Sequence, residues 1–125
     1  MNILFLDDSD ERWLIFNKFT QGFKRVDFIT TSSGAIQLLQ SEQYDAIFLD
    51  YDLGKDGIEA NEENGLKVAE WISANLSYQP KIVLHTGDLN GAEKMCHTLK
   101  QGGFKSNHTP FMELVATLHH IESLR

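Results

Sequence analysis

The feature that most constrains this chain is an alternation: five short apolar runs are separated by longer segments whose apolar residues recur with helical period. The runs are Ile3 to Leu6, Val26 to Ile29, Ala46 to Leu49, Lys81 to Leu84 and a weaker one from Phe104 to Asn107. Such alternation is the pattern of βα units feeding a parallel sheet. The first, third and fourth runs are almost wholly apolar, as expected of central strands covered by helices on both faces. The second and fifth are mixed, which suits edge strands.

Between the runs, Ser9 or Asp10 is placed to cap a helix carrying Trp13, Leu14, Phe16 and Phe19, and Ser32 or Ser33 to cap one carrying Ala35, Ile36, Leu38 and Leu39. Leu66, Ala69, Ile72 and Leu76 repeat at helical spacing, as do Ala92, Met95, Cys96 and Leu99, and a last helix carries Phe111, Leu114, Val115, Leu118 and Ile121. These stripes read as core, Cys96 included, rather than as cofactor contacts. Gly22, Gly102 and Gly103 stand where helices should stop, and Pro80 and Pro110 flank strand boundaries. One long irregular stretch, Tyr51 to Asn64, holds Gly54, Gly57 and the acids Asp56, Glu59, Glu62 and Glu63. Loops of that length are uncommon in compact domains unless they are functional or mobile.

A length of 125 residues suits one domain with a core that needs no disulfide or structural metal. The net charge of -7 argues against a phosphate-neutralising basic stripe, so neither non-specific nucleic-acid binding nor attachment to an anionic membrane is expected. Acidity suits cations instead. The single cysteine, Cys96, cannot form an internal disulfide, and the opening apolar run is too short to span a bilayer, so a cytoplasmic setting is the expectation.

In open parallel α/β sheets ligands bind outside the carboxyl ends of the strands. That rule selects Asp7 and Asp8 after the first strand, Asp50 and Asp52 after the third, and His85, Thr86 and Asp88 after the fourth. The four carboxylates of Asp7, Asp8, Asp50 and Asp52, at neighbouring strand ends, repel one another unless a cation or shared protons compensate. Oxygen ligands of this kind point to Mg²⁺ or Mn²⁺, which retain waters and accept a phosphate. The competing reading makes Asp7, Asp8 and Asp10 acids at a helix start. Capping, however, gives no reason for Asp50.

Asp7-Asp8, Ala46-Ile47-Phe48-Leu49-Asp50, Thr86 and Thr109-Pro110-Phe111 together resemble the acidic pair, phosphoacceptor strand, hydroxyl residue and Lys-Pro-Phe segment of response-regulator receiver domains. The resemblance spans essentially the whole chain. It implies a doubly wound, flavodoxin-like sheet of five parallel strands in the order 2-1-3-4-5 with helices on both faces, and at this length one receiver-like domain over 1–125 with no output domain is the expectation. It further implies a metal held by Asp8, Asp50 and the Asp52 carbonyl, with Asp7 acting through water and Asp50 as the nucleophile toward phosphorus.

Four departures separate the chain from signalling receivers. Thr109 stands at the place of the lysine that pairs with the phosphoryl group, leaving Lys105 or His108 as substitutes, and Ser106 stands at the place of the relay aromatic. The stretch after Asp50 is long, and His85 replaces an apolar strand-end residue.

These departures, with Phe48-Leu49-Asp50-Tyr51-Asp52-Leu53-Gly54, Asn64-Gly65 before Val68-Ala69-Glu70-Trp71-Ile72, and Val83-Leu84-His85-Thr86 before Gly91-Ala92, resemble the cyclic-phosphate-processing receiver domains. That likeness implies metal-assisted chemistry on a small phosphate or cyclic phosphate, a nucleotide or a nucleic-acid end. Asp50 would be the nucleophile, His85 the acid or base, Thr86 a site hydroxyl and Asp52 an acid able to position water. Two alternatives are a single-domain response regulator phosphorylated on Asp50 by a histidine kinase or small phosphodonor and read by a protein partner, and a degenerate receiver that binds a partner without phosphoryl chemistry. His97, His119 and His120 fall on helices and read as surface or packing residues.

Overall fold

The computed structural model describes residues 1–53 and 64–123, with side chains described to residue 118. Ten elements follow in order: β1 (Asn2–Leu6), α1 (Asp10–Phe19), β2 (Arg25–Ile29), α2 (Ser32–Ser41), β3 (Ala46–Leu49), α3 (Gly65–Asn75), β4 (Lys81–Leu84), α4 (Leu89–Gln101), β5 (Asn107–His108) and α5 (Phe111–Ser123). The strands form one parallel sheet in the order β2-β1-β3-β4-β5, as the resemblance implies. The two runs of mixed composition supply its edges.

Period-two alternation divides the apolar strand residues between two layers. Leu4, Leu6, Ile47, Leu49, Ile82 and Leu84 pack with α2, α3 and α4 through residues such as Leu39, Ile72 and Met95. Ile3, Phe5, Ala46, Phe48 and Val83 face α1 and α5, meeting Phe16, Phe111 and Leu114. Phe5 is the centre of this second layer, stacked on Phe16 with ring centroids 4.2 Å apart.

Three sequence expectations are corrected. Thr31, one residue before the expected serines, caps α2 by accepting the Gly34 N–H. Cys96 is exposed rather than buried, because α4 turns Met95 and Leu99 inward and leaves Cys96 on its outer side. The fifth strand begins three residues late, since Phe104 belongs to the end of α4. Gly103, with φ of 88°, reverses the chain in the left-handed region, Gly103 N–H donates to Lys100 O and Phe104 N–H to Leu99 O. That pattern satisfies the last carbonyls and pins Phe104 against the core, a Schellman ending that leaves only Asn107 and His108 to pair with β4.

Residues 54–63 of the acidic stretch lie outside the described residues, but its ends are joined: Asp52 and Asn64 form an antiparallel bridge, and Gly65 N–H donates to Tyr51 O at 2.8 Å. A side chain at Gly65 would lie 1.9 Å from the Asp50 carbonyl oxygen, whereas one at Gly22 would meet nothing within 4 Å. Gly65→Ala should therefore lower stability by about 1–3 kcal/mol through overpacking, and Gly22→Ala by no more than about 0.5 kcal/mol. Urea denaturation of both variants checks this, and equal effects would contradict the steric argument.

Candidate metal and phosphate site

The site follows from strand register. Leu6 pairs with Leu49 and Leu49 with Leu84, so the next residue on each strand, Asp7, Asp50 and His85, stands at one level above the sheet. Backbone bonds from Asp50 N–H to Leu6 O and from His85 N–H to Leu49 O carry the ladder to that level. Asp7 lies two residues past Phe5, Asp50 two past Phe48 and His85 two past Val83. All three therefore fall on the α1/α5 side. They are buried, and each can offer a ligand atom such that the three atoms lie within 4.8 Å of one another.

Asp7 is fully buried and densely bonded. Arg12 donates to it twice, Nε to Oδ2 and Nη2 to Oδ1, both at 2.8 Å, and Ser9 N–H donates to Oδ1 at 2.9 Å. His85 Nε2 lies 2.9 Å from Oδ2. Burial by itself raises the Asp7 pKa, but the His85 and Arg12 hydrogen bonds, the positive charge and the Ser9 amide outweigh it and leave the carboxyl at about 2. Asp50 has fewer partners: Tyr51 N–H donates to Oδ1 at 2.9 Å, and Arg12 Nη2 is 3.3 Å from Oδ2. Burial, reinforced by the Asp7 charge, pushes Asp50 up to about 6 against the opposing pull of His85 and Arg12.

Arg12 is the site residue that sequence reading missed. Ser9 caps α1 by accepting the Arg12 N–H, which places this side chain in the first turn, where it spans Asp7, Asp50 and, at 3.6 Å, Asp8. The available signal was its position in the first turn directly after the acidic pair. Neither proposed substitute for the lysine does this work: His108 Nε2 donates to the Thr86 carbonyl at 2.8 Å, and Lys105 lines a hollow with Gln79 and Lys81, where the strands begin.

Of the other sequence candidates, Thr86 is buried and its hydroxyl accepts the Asp88 N–H at 3.1 Å. Asp88 is the N-cap of α4, accepting from Gly91 N–H. Asp8 is partly exposed beside Arg12, while Asp52 is exposed at the rim. His97 is exposed on α4. The His85 ring stacks on Phe5 at 4.8 Å and meets Phe111 edge-on, and its Nδ1 is buried without a partner among the described residues. An open cavity of about 500 Å³ adjoins these groups, running from Arg12, Asp50 and His85 past Thr86 and Asp88 to Phe111 and Met112.

The two buried carboxylates at this spacing suit a divalent cation of the Mg²⁺ or Mn²⁺ kind, which prefers oxygen ligands, with the His85 imidazole beside them. The Arg12 guanidinium already marks the place where positive charge is stabilised. The donor set therefore fits such an ion.

Sheet order, the level of the three strand ends and the acidic cluster together define a receiver-type α/β protein. The family described as cyclic-phosphate processing receiver domain matches residues 2–101, and the chain belongs to that family. Among solved structures, it is similar to the Mn(2+)-bound form of response regulator Rcp1, with 18% identity, a TM-score of 0.70, and coverage of 98% of this chain and 91% of that one. It is also similar to a CheY-like receiver domain from Methylobacillus flagellatus, with 18% identity, a TM-score of 0.66, and coverage of 97% and 98% respectively. At such identities the likeness is one of fold. A comparison with curated proteins gave no match. No helix among the described residues is long and apolar enough to cross a membrane.

The two carboxyls contribute oppositely to stability. Asp7, held below its ordinary 3.8, stabilises the fold above that pH, and the contribution disappears as pH falls through about 2. Asp50, held above 3.8, keeps a proton in the native state between about pH 4 and 6 that the unfolded chain has released. Stability therefore falls as pH rises through that window, and the cost persists above it. With divalent ions chelated, Asp50→Asn should be more stable than the parent by roughly 3 kcal/mol at pH 7.5 and nearly equal to it at pH 4. Urea denaturation across this range tests the sign, and no gain at the higher pH would refute it.

Proposed function

We propose that this protein processes cyclic phosphates at the Asp7, Asp50 and His85 cluster, with Mg²⁺ or Mn²⁺ as cofactor. The observation that carries the reading is the convergence of these three buried groups, two of which, Asp50 and His85, line the cavity, in a chain of the cyclic-phosphate processing receiver family. The Mn²⁺ of the Rcp1 neighbour supports the choice of ion. A bound divalent ion would offset charge on the phosphoryl oxygens and so favour attack at phosphorus.

Asp50 is the nucleophile. Its Oδ2 has one long contact, to Arg12 at 3.3 Å, which leaves it the less engaged of the two buried carboxylates. Attack forms a bond from Asp50 oxygen to phosphorus and breaks one ring ester bond, and His85 gives a proton to the departing alkoxide. Water then attacks phosphorus with His85 taking its proton, and the bond from Asp50 oxygen to phosphorus breaks to free the carboxylate, so that the sum is one cyclic ester plus water giving one phosphomonoester. Asp7 orients the imidazole by accepting from Nε2, and the Phe5 and Phe111 rings fix its plane. Asp52 stands at the rim, where a carboxylate can hold the hydrolytic water. Thr86 presents a strand-end hydroxyl beside His85.

The test is turnover of nucleoside cyclic phosphates and cyclic-phosphate-ended oligonucleotides with Mg²⁺ or Mn²⁺, followed by chromatography. Activity should vanish with chelator and in Asp50→Ala, and fall by about 100-fold or more in His85→Ala. Absence of turnover across the panel with either ion present would sink the enzymatic reading.

A further inference from the structure

The cavity poses an electrostatic problem for any phosphate. Glu11, Asp50, Asp52 and Asp88 line it, and among the described lining residues Arg12 carries the one fixed positive charge. That charge is committed elsewhere: its guanidinium donates twice to Asp7 at 2.8 Å and lies 3.3 Å from Asp50 and 3.6 Å from Asp8. A divalent ion bound by Asp7 and Asp50 would need the same oxygens and would repel the guanidinium. One of the two cations must leave.

The geometry decides which part can move. The Asp7 and Asp50 side chains are 0% and 7% exposed and are set by adjacent strands, whereas the Arg12 side chain is 39% exposed on the first turn of a helix. Its backbone is held by Ser9 Oγ, so the long side chain can rotate while its root stays fixed. The space beside it is the cavity itself.

We propose that Arg12 is a movable counter-ion. It neutralises Asp7 and Asp50 until a divalent ion takes their oxygens, and it then turns into the cavity to bind a phosphoryl oxygen, supplying the positive charge absent at Thr109. The inference rests on the metal-site reading above and adds an order to it, metal before phosphate.

Two binding measurements on the full chain test it without turnover. Free Mn²⁺ is followed by its paramagnetic resonance during titration, and binding of inorganic phosphate to the Mn²⁺-loaded protein is followed by calorimetry. Arg12→Gln should bind Mn²⁺ about 10-fold tighter and phosphate about 10-fold weaker than the parent. Equal or weaker Mn²⁺ binding in the variant, or unchanged phosphate binding, overturns the exchange and leaves the metal site standing. If neither protein binds Mn²⁺, the metal site and the exchange fall together. Because Arg12→Gln leaves Asp7 short of a partner and can fail to fold, the unsubstituted protein provides a second readout. Its Arg12 Nε–H, assigned with Arg12→Lys, should exchange with solvent about 10-fold faster once Mg²⁺ is added. A Mg²⁺-saturated protein in which that proton keeps its protection contradicts the proposal.

Discussion

The constraint on which the rest depends is the burial of the Asp7 carboxylate. A charge with no exposed surface is tolerated only when paired and hydrogen-bonded, and Asp7 receives two bonds from Arg12, one from the Ser9 amide and one from His85. Each partner belongs to a different part of the architecture: the α1 cap, the first helical turn and the end of β4. Holding one carboxylate therefore fixes how α1 leaves the sheet and which way the His85 ring faces.

That arrangement gives two neighbouring acids opposite characters. Asp7 collects the strong donors and remains ionised far into acid, whereas Asp50, equally deprived of water but with fewer partners, is pushed toward neutrality. A carboxylate held above its ordinary range costs stability when charged and gains most from an arriving cation. Structural holder and reactive group are separated by environment rather than by residue type. The Phe5, Phe48 and Val83 layer sets the level at which all three groups emerge, so the same packing that closes the core also builds the site.

Much of the fold was legible in the chain because hydrophobic periodicity records which face each element buries. The apolar runs ending in Leu6, Leu49 and Leu84 are the three central strands, and the mixed runs are the edges. The fifth strand was misplaced because an apolar run does not reveal whether Phe104 serves a strand or a helix ending, and Cys96 because a stripe wide enough for four residues need not bury all four. Asp7, Asp50 and His85 were selected as strand-end groups from the rule for parallel sheets. Asp88 met the same rule, and the structure uses it as a cap.

By itself the sequence determined the parallel sheet, the strand ends at which chemistry can occur, and the identity of the acids and imidazole there, since these depend on local period and composition. Tertiary structure decided which strand ends stand at one level, because register is a relation between strands that no single segment contains. It also decided that Arg12, five residues after Asp7 along the chain, closes over both carboxylates while Lys105 stays where the strands begin. Long cationic side chains reach whatever the fold brings near them, and their partners are set by packing rather than by spacing alone.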